Sequence, residues 1–436
     1  MRVLRLSFAF KELGRLSSLL RGRGAVHVFA GAFLSKFAAF LGSIVLVRIL
    51  SKADYGVLGY VENLYAYAYL LAGLGLNNAL YRWMVTKERP EEKKGVFSYI
   101  LRQGTIINVA IVLVFGVAAH FVPHAEEFSL AAWLLPLMLL ALPFQFLVDG
   151  CSFSLRSLFE NRSYAVLAIA TAFLVISLKV ICSMAGGLWG SVASVPLAYA
   201  AIASGALTFF FLRVFKGVGS SAVSIEERRE MRGYSLQYMV TNGLWALFLQ
   251  NDILLLGLFT QDAAVVADYK VAYIAPSALA ILSSSVGMFV SPYFIRHERD
   301  RLWVWRSYKL TLMAVSVLMG GASLVLGVFA VPVIEVVYGA EYVSVAPLMG
   351  VLLLAGVLTN GIRYTTANLL AAMGRVKINM IVSFCGIGLQ AVLDCMLIPP
   401  FGVYGPAFAS LATYGLMAAA VVVAFVKLYR TKGVVG

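Results

Sequence analysis

Five ionisable side chains sit deep in long apolar runs of this chain: the cations Lys36, Lys179 and Arg363, and the anions Asp252 and Asp394. Arg48 closes the first run. A charge at bilayer depth costs roughly 2.5 to 3.5 kcal/mol on insertion scales, so it persists where it faces a partner or a wet cavity. Three interior cations against two anions leave a net positive interior, suited to an anionic ligand. The competing reading is that each charge pairs with a neighbour to hold helices together, or snorkels to an interface. For Arg48, with Asp54 and Glu62 nearby, pairing is the stronger expectation. Lys36 is the most telling cation, because Phe29, Phe33, Lys36, Phe40 and Ser43 would share one helical face. Asp252, Asp394 and Glu62 are candidates for holding a coupling proton or Na⁺. Asn242 belongs to a set of asparagines, with Asn63, Asn77, Asn78 and Asn360, that would read ligand hydroxyls or bond helix to helix.

Other chemistries are poorly represented. No G-x-x-x-x-G-K-[ST] loop occurs, which argues against nucleotide-driven pumping, and neither HExxH nor G-x-S-x-G is found. With no polar segment large enough for a catalytic domain, an enzyme and a bound cofactor are not expected. His120 and His124 stand at i, i+4 beside Glu126 and Glu127, a spacing that reads either as a metal site or, preferably, as a solvated rim. Cys151, Cys182, Cys385 and Cys395 fall in or beside apolar helices, without metal or redox spacing.

The elements that position these residues follow from composition. The chain is 61% hydrophobic and only 13% charged, far more apolar than a soluble domain. Apolar runs predict twelve membrane-spanning helices, near 26–50, 57–82, 99–121, 130–150, 164–184, 189–212, 235–258, 267–293, 309–332, 343–366, 377–398 and 403–426. Of the 35 Lys and Arg residues, all but Lys36, Arg48, Lys52, Lys179, Lys270 and Arg363 fall in alternate connections or at the termini. The net charge of +14 is therefore topological, pointing to both termini in the cytoplasm and not to nucleic acid. Residues 1–24 form a basic amphipathic segment expected to lie on the cytoplasmic face without cleavage.

A repeat is visible. Pro136-Leu137-Met138 recurs as Pro347-Leu348-Met349, and Gly187-Leu188-Trp189-Gly190 recurs as Gly402-Val403-Tyr404-Gly405. In each copy a tyrosine follows the second glycine, Tyr199 and Tyr414. The expected organisation is an all-α polytopic protein of two six-helix lobes, 25–212 and 233–427, related by a pseudo-twofold along the membrane normal. A linker, 213–232, joins them, and a tail, 428–436, follows.

Several short motifs, in order, carry a resemblance. They are Val47-Arg48-Ile49-Leu50, Asp54-Tyr55-Gly56, and Gly73-Leu74-Gly75-Leu76 with Ala79 and Arg82. Later come Tyr338-Gly339 with Glu341-Tyr342, Gly374-Arg375 with Lys377, and Leu397-Ile398-Pro399 with Gly402, Gly405, Ala407 and Ser410. The set resembles the Wzx-like polysaccharide-transporter branch of the MOP exporter superfamily, which also holds the MATE transporters and lipid II flippases. The resemblance implies a MATE-like fold and a flippase that moves an undecaprenyl-pyrophosphate-linked oligosaccharide to the outer leaflet of a bacterial or archaeal cytoplasmic membrane. It implies service to O-antigen, capsule or exopolysaccharide synthesis, beside polymerase and assembly proteins. Family members place cations in the lumen, and Lys36, Arg48, Lys179 and Arg363 are the matching expectation, though only Arg48 lies in a shared motif. Two other readings stay open: an ion-coupled drug or cation exporter of the same superfamily, and a polytopic polysaccharide polymerase or ligase.

Overall fold

The computed structural model describes residues 25–121, 125–248 and 251–429, with side chains described from Leu34 onward except over 241–250 and at 285, 288, 289, 292 and 376. The basic segment 1–24 and most of the tail lie outside the described residues, as do His124 and the side chain of Asn242. All regular structure among the described residues is helical. In chain order the helices are α1 (Ala25–Ile49), α2 (Lys52–Leu70), α3 (Leu76–Thr86), α4 (Pro90–Phe121), α5 (Ala131–Leu139), α6 (Ala141–Ser157), α7 (Asn161–Phe209) and α8 (Ile225–Phe248). There follow α9 (Asn251–Thr260), α10 (Ala263–Arg296), α11 (Arg301–Val328), α12 (Ala330–Val337), α13 (Ala346–Gly356), α14 (Thr365–Ala372), α15 (Val376–Phe401) and α16 (Tyr404–Tyr429). Seven of these stretches are long and apolar enough to cross a membrane, eight if the bent pair α5–α6 is one span.

Two compact units divide the chain. The first gathers Met1–Val45, Ala68–Phe121 and Trp133–Val240; the second gathers Leu46–Tyr67, Val122–Ala132 and Thr241–Gly436.

In the first unit, α7 is a helical hairpin. Its arms turn at Gly186 and Gly187, where Gly187 has φ 54° and ψ −134°, a conformation essentially reserved for glycine. Three residues on, a Cβ at Gly190 would stand 1.9 Å from the Cys182 carbonyl oxygen, so only glycine lets the returning arm pack. The second unit repeats the device between α15 and α16. Gly402 has φ 53° and ψ −125°, and a Cβ at Gly405 would lie 2.6 Å from Ile398 Cα. The repeated Gly-x-x-Gly is thus a repeated turn: one glycine supplies the backbone angle, the other the close approach.

Two predicted spans are not continuous. The run 57–82 breaks after Leu70, because Gly73, Leu74 and Gly75 all take positive φ (54°, 48° and 79°) before α3 begins. The break is held in place by the Asn108 side chain, whose Oδ1 accepts from Gly73 N at 3.0 Å, and by the Phe146 ring, which would meet a Cβ on Gly73 at 2.2 Å. The run 130–150 bends by 40° between α5 and α6.

Candidate functional site

In the second unit, four helices bring together a buried polar cluster. α9 supplies Asp252, α10 Tyr269, α15 Gln390 and Asp394, and α16 Ser410. Tyr269 Oη donates to Asp252 Oδ2 at 2.5 Å, and Ser410 Oγ lies 3.4 Å from the same oxygen. Gln390 Nε2 stands 3.3 Å from Asp252 Oδ1, 3.2 Å from Asp394 Oδ1 and 3.1 Å from Ser410 Oγ. An amide nitrogen has two protons, so it cannot serve three acceptors fully. Asp394 Oδ2, Gln390 Oε1 and Thr413 Oγ1 are buried acceptors with no hydrogen bond among the described residues. Asp394 is wholly buried and Gln390 nearly so. Two carboxylates this close, Asp394 wholly buried and Asp252 half-buried, together with the unmatched acceptors, suit a proton or a small monovalent cation. The sequence nominated Asp252 and Asp394 separately. Gln390, one turn before Asp394, was missed although its i, i+4 spacing was readable; Tyr269 gave no signal.

The remaining nominees of this unit have other surroundings. Arg363 is buried, on a π-helical stretch Val357–Tyr364, and donates from an Nη to Ser383 Oγ at 3.1 Å; π-helical turns inside spans recur at functional positions. Arg48 donates through Nε to the Val337 carbonyl at 2.8 Å and through an Nη to that of Val336. It therefore caps the negative end of α12. Glu62 pairs with Lys270 at 2.5 Å, and Lys52 pairs with Asp268 at 2.6 Å. Lys270 also lies 4.6 Å from the centroid of the Tyr55 ring. Glu62 thus already has a cation beside it, whereas Asp252 and Asp394 have each other. Glu127, close in sequence to His120, accepts from Ala263 N at 2.7 Å at the start of α10.

In the first unit, α1 has three distinct faces. Leu34, Phe37, Leu41 and Val45 form an exposed apolar stripe. Ser35 and Gly42 pack on the first arm of α7: Ser35 Oγ donates to the Ala168 carbonyl at 3.1 Å, and a Cβ on Gly42 would strike Ile176. Lys36 is exposed on the third face, turned about 145° from the middle of the apolar stripe at 100° per residue. Lys179 is buried in the first arm of α7. A cavity of about 380 Å³ opens beside Ser35, lined by Asp149, Arg156, Tyr164, Thr171 and Tyr199. Tyr69 Oη donates to Asp149 Oδ2 at 2.7 Å, and Arg156 lies 5.6 Å from both the Tyr81 and Tyr164 ring centroids. Asp149 was not among the sequence candidates. It closes the predicted span 130–150, where an acid reads as a boundary.

This architecture matches solved transporters. The lipid II flippase MurJ in its inward closed conformation aligns over 92% of this chain and 87% of that chain, at 14% identity and a TM-score of 0.75. The MATE multidrug transporter DinF-BH, solved as a complex, aligns over 95% and 97%, at 19% identity and 0.64. An inward-facing multidrug-resistance transporter of the MATE family aligns over 91% and 96%, at 13% identity and 0.70. A comparison with curated proteins finds no match. At these identities the likeness shows the fold alone, the one shared with these transporters. Residues 22–298, well over half of the chain, match the family described as polysaccharide biosynthesis protein, and the chain belongs to that family.

Proposed function

We propose that this protein is a flippase for a lipid-linked oligosaccharide carried on undecaprenyl pyrophosphate, working by alternating access of its two halves in a cytoplasmic membrane. The observation that carries the reading is Lys36: an exposed ammonium near the middle of α1, on a face turned away from the apolar stripe. A cation kept accessible at that depth attracts an anionic group, and a pyrophosphate offers strong charge-assisted acceptors. Arg363 is the second cation of this reading, and Asp149, Arg156 and the tyrosines of the first unit's cavity suit a hydroxylated head group. Asp252 and Asp394 would hold the coupling proton or Na⁺. Twelve spans, with lobes 25–212 and 233–427 and both termini inside, remain the topology we favour from the positive-inside pattern.

A dye-sized cationic cargo is less well supported, since Asp394 and Gln390 are too deeply buried to receive one. The test is leaflet accessibility of a fluorescent undecaprenyl-pyrophosphate oligosaccharide in proteoliposomes, comparing wild type with Lys36→Ala. Exposure of the lipid at the outer face by wild type but not the variant supports the proposal. If neither moves it while the same vesicles expel a cationic dye, the exporter reading replaces it.

A further inference from the structure

The two arms of α7 and the end of α6 also enclose a larger cleft of about 910 Å³, separate from the polar cavity. Its two ends differ in chemistry. The mouth carries Arg162 and Arg213, with Glu160 and Ser163; the interior is walled by Val166, Ala170, Gly205 and Phe209. Because the arms of the hairpin run antiparallel, Arg162 near the start of one and Arg213 just past the end of the other come to the same level. Arg213 lies 5.8 Å from the Phe209 ring centroid, bridging the charged mouth and the apolar wall. From Arg162 to Ala170 the wall runs about 12 Å along the helix at 1.5 Å per residue. The wall is open along Val166, which is exposed, and the surface beside the cleft is apolar too, with Phe211 and Leu212 exposed.

We infer that this cleft is a binding site for an anionic diacyl phospholipid of the surrounding bilayer. Its acyl chain lies along Val166 and Phe209, and its phosphate lies between Arg162 and Arg213. Basic pockets between membrane helices on the cytoplasmic side hold anionic head groups by this combination of charge and apolar contact, and Arg162 and Arg213 both belong to the connections the positive-inside pattern places there. The charge balance selects the lipid. Glu160 accepts from Ser163 at 3.5 Å, a neutral partner, so two arginines and one glutamate leave a single net positive charge, matching one phosphodiester. A pyrophosphate would bring excess negative charge against Glu160, and the interior offers no polar group for a sugar. The inference stands apart from the cargo proposed above, since it concerns bilayer lipid.

Native mass spectrometry of the full-length protein, released from vesicles of mixed phosphatidylglycerol and phosphatidylcholine, tests it. Wild type should retain phosphatidylglycerol preferentially. Basic residues near an anionic surface contribute about 1 kcal/mol each, so Arg162→Gln/Arg213→Gln should weaken retention roughly 25-fold. Gly205→Leu is a second probe that keeps both arginines. A Cβ at Gly205 meets nothing within 4 Å, so the new side chain fills the cleft and should lower retention without disturbing the fold. Arg299→Gln/Arg301→Gln, removing the same charge elsewhere, should change nothing. Equal retention of both lipids, an equal loss in the Arg299/Arg301 control, or displacement by undecaprenyl phosphate but not by phosphatidylglycerol would each overturn the assignment.

Discussion

Replacing Asp394 by asparagine isolates the acidic cluster of the second unit. Asp252 Oδ1 and Asp394 Oδ1 lie 3.3 and 3.2 Å from one Gln390 nitrogen, so they are at most about 6.5 Å apart. At an effective dielectric near 20, two negative charges at that separation repel by roughly 2.5 kcal/mol. A cation midway between them would gain roughly 5 kcal/mol from each carboxylate on the same scale. With no cation bound, one proton held between the two carboxylates would relieve that repulsion. Losing one carboxylate then removes one attraction of about 5 kcal/mol and one repulsion of about 2.5, a net loss near 2.5 kcal/mol, or about 60-fold in cation affinity. The assay is the melting temperature of the purified protein as NaCl replaces choline chloride at constant ionic strength, at pH 6 and pH 8. A ligand at a hundredfold excess over its Kd stabilises by about 2.7 kcal/mol, so wild type should melt at higher temperature in Na⁺, or at lower pH if the proton is the carrier. Asp394→Asn should need about 60-fold more cation for the same shift. An unchanged response to both Na⁺ and pH in Asp394→Asn would refute the cluster as the coupling site.

Other outcomes follow from single contacts. Gly187→Ala and Gly402→Ala each force a side chain onto positive φ at a hairpin turn and should cost on the order of 1–3 kcal/mol, read as a lower melting temperature for both variants. Arg48→Gln should lower thermal stability by uncapping α12, yet leave the affinity for lipid-linked substrate, measured by scintillation proximity, within about twofold of wild type; a collapse in affinity alone would return Arg48 to the substrate site. The hydrogen bond between Lys87 and Glu227 holds the lysine above its usual range and the glutamate below its own. The lysine's contribution is full below its ordinary value of about 10.4 and is lost as pH rises through its raised one, while the glutamate's is full above about 4.3 and is lost as pH falls through its depressed one. Proteolysis within 213–232 should therefore be slow across neutral pH and accelerate at both extremes, and Glu227→Gln, which takes away the partner behind both shifts, should flatten both limbs.

Much of the architecture was legible because membrane spans announce themselves by length and polarity, and because a glycine turn needs glycine wherever it recurs. The paired Gly187 and Gly402 carried the repeat from sequence into geometry. What was not legible rests on contacts distant in the chain. The break at Gly73 depends on Asn108 and Phe146, and within an apolar run two glycines and two leucines read as more span. Arg48 finds its carbonyl partners nearly 290 residues away, so its apparent local partners, Asp54 and Glu62, were the wrong ones. Glu62 takes Lys270, while Asp54 accepts from the Ser51 hydroxyl at 2.7 Å. For Asp252 and Asp394, the sequence offered each acid but not their shared amide.

The two halves of the repeat also differ at a position that bears on the proposed coupling. Lys179 stands eight residues before the hinge Gly187, and Asp394 stands eight residues before Gly402. Both are buried in the arm that leads into the turn. At the same position in the repeat, one half therefore carries a covalently attached basic group and the other a carboxylate. The lysine amine is tethered to the chain, whereas a proton or Na⁺ at Asp394 can come and go. An exchangeable charge is what links occupancy to conformation, because a ligand shifts an equilibrium only by its differential affinity for the two states. On this argument cation dependence belongs to the second unit, and Lys179→Met should alter stability without changing the response of the melting temperature to Na⁺ or pH. A Lys179→Met variant that lost that response would show the buried lysine and the acidic cluster to be one coupled system.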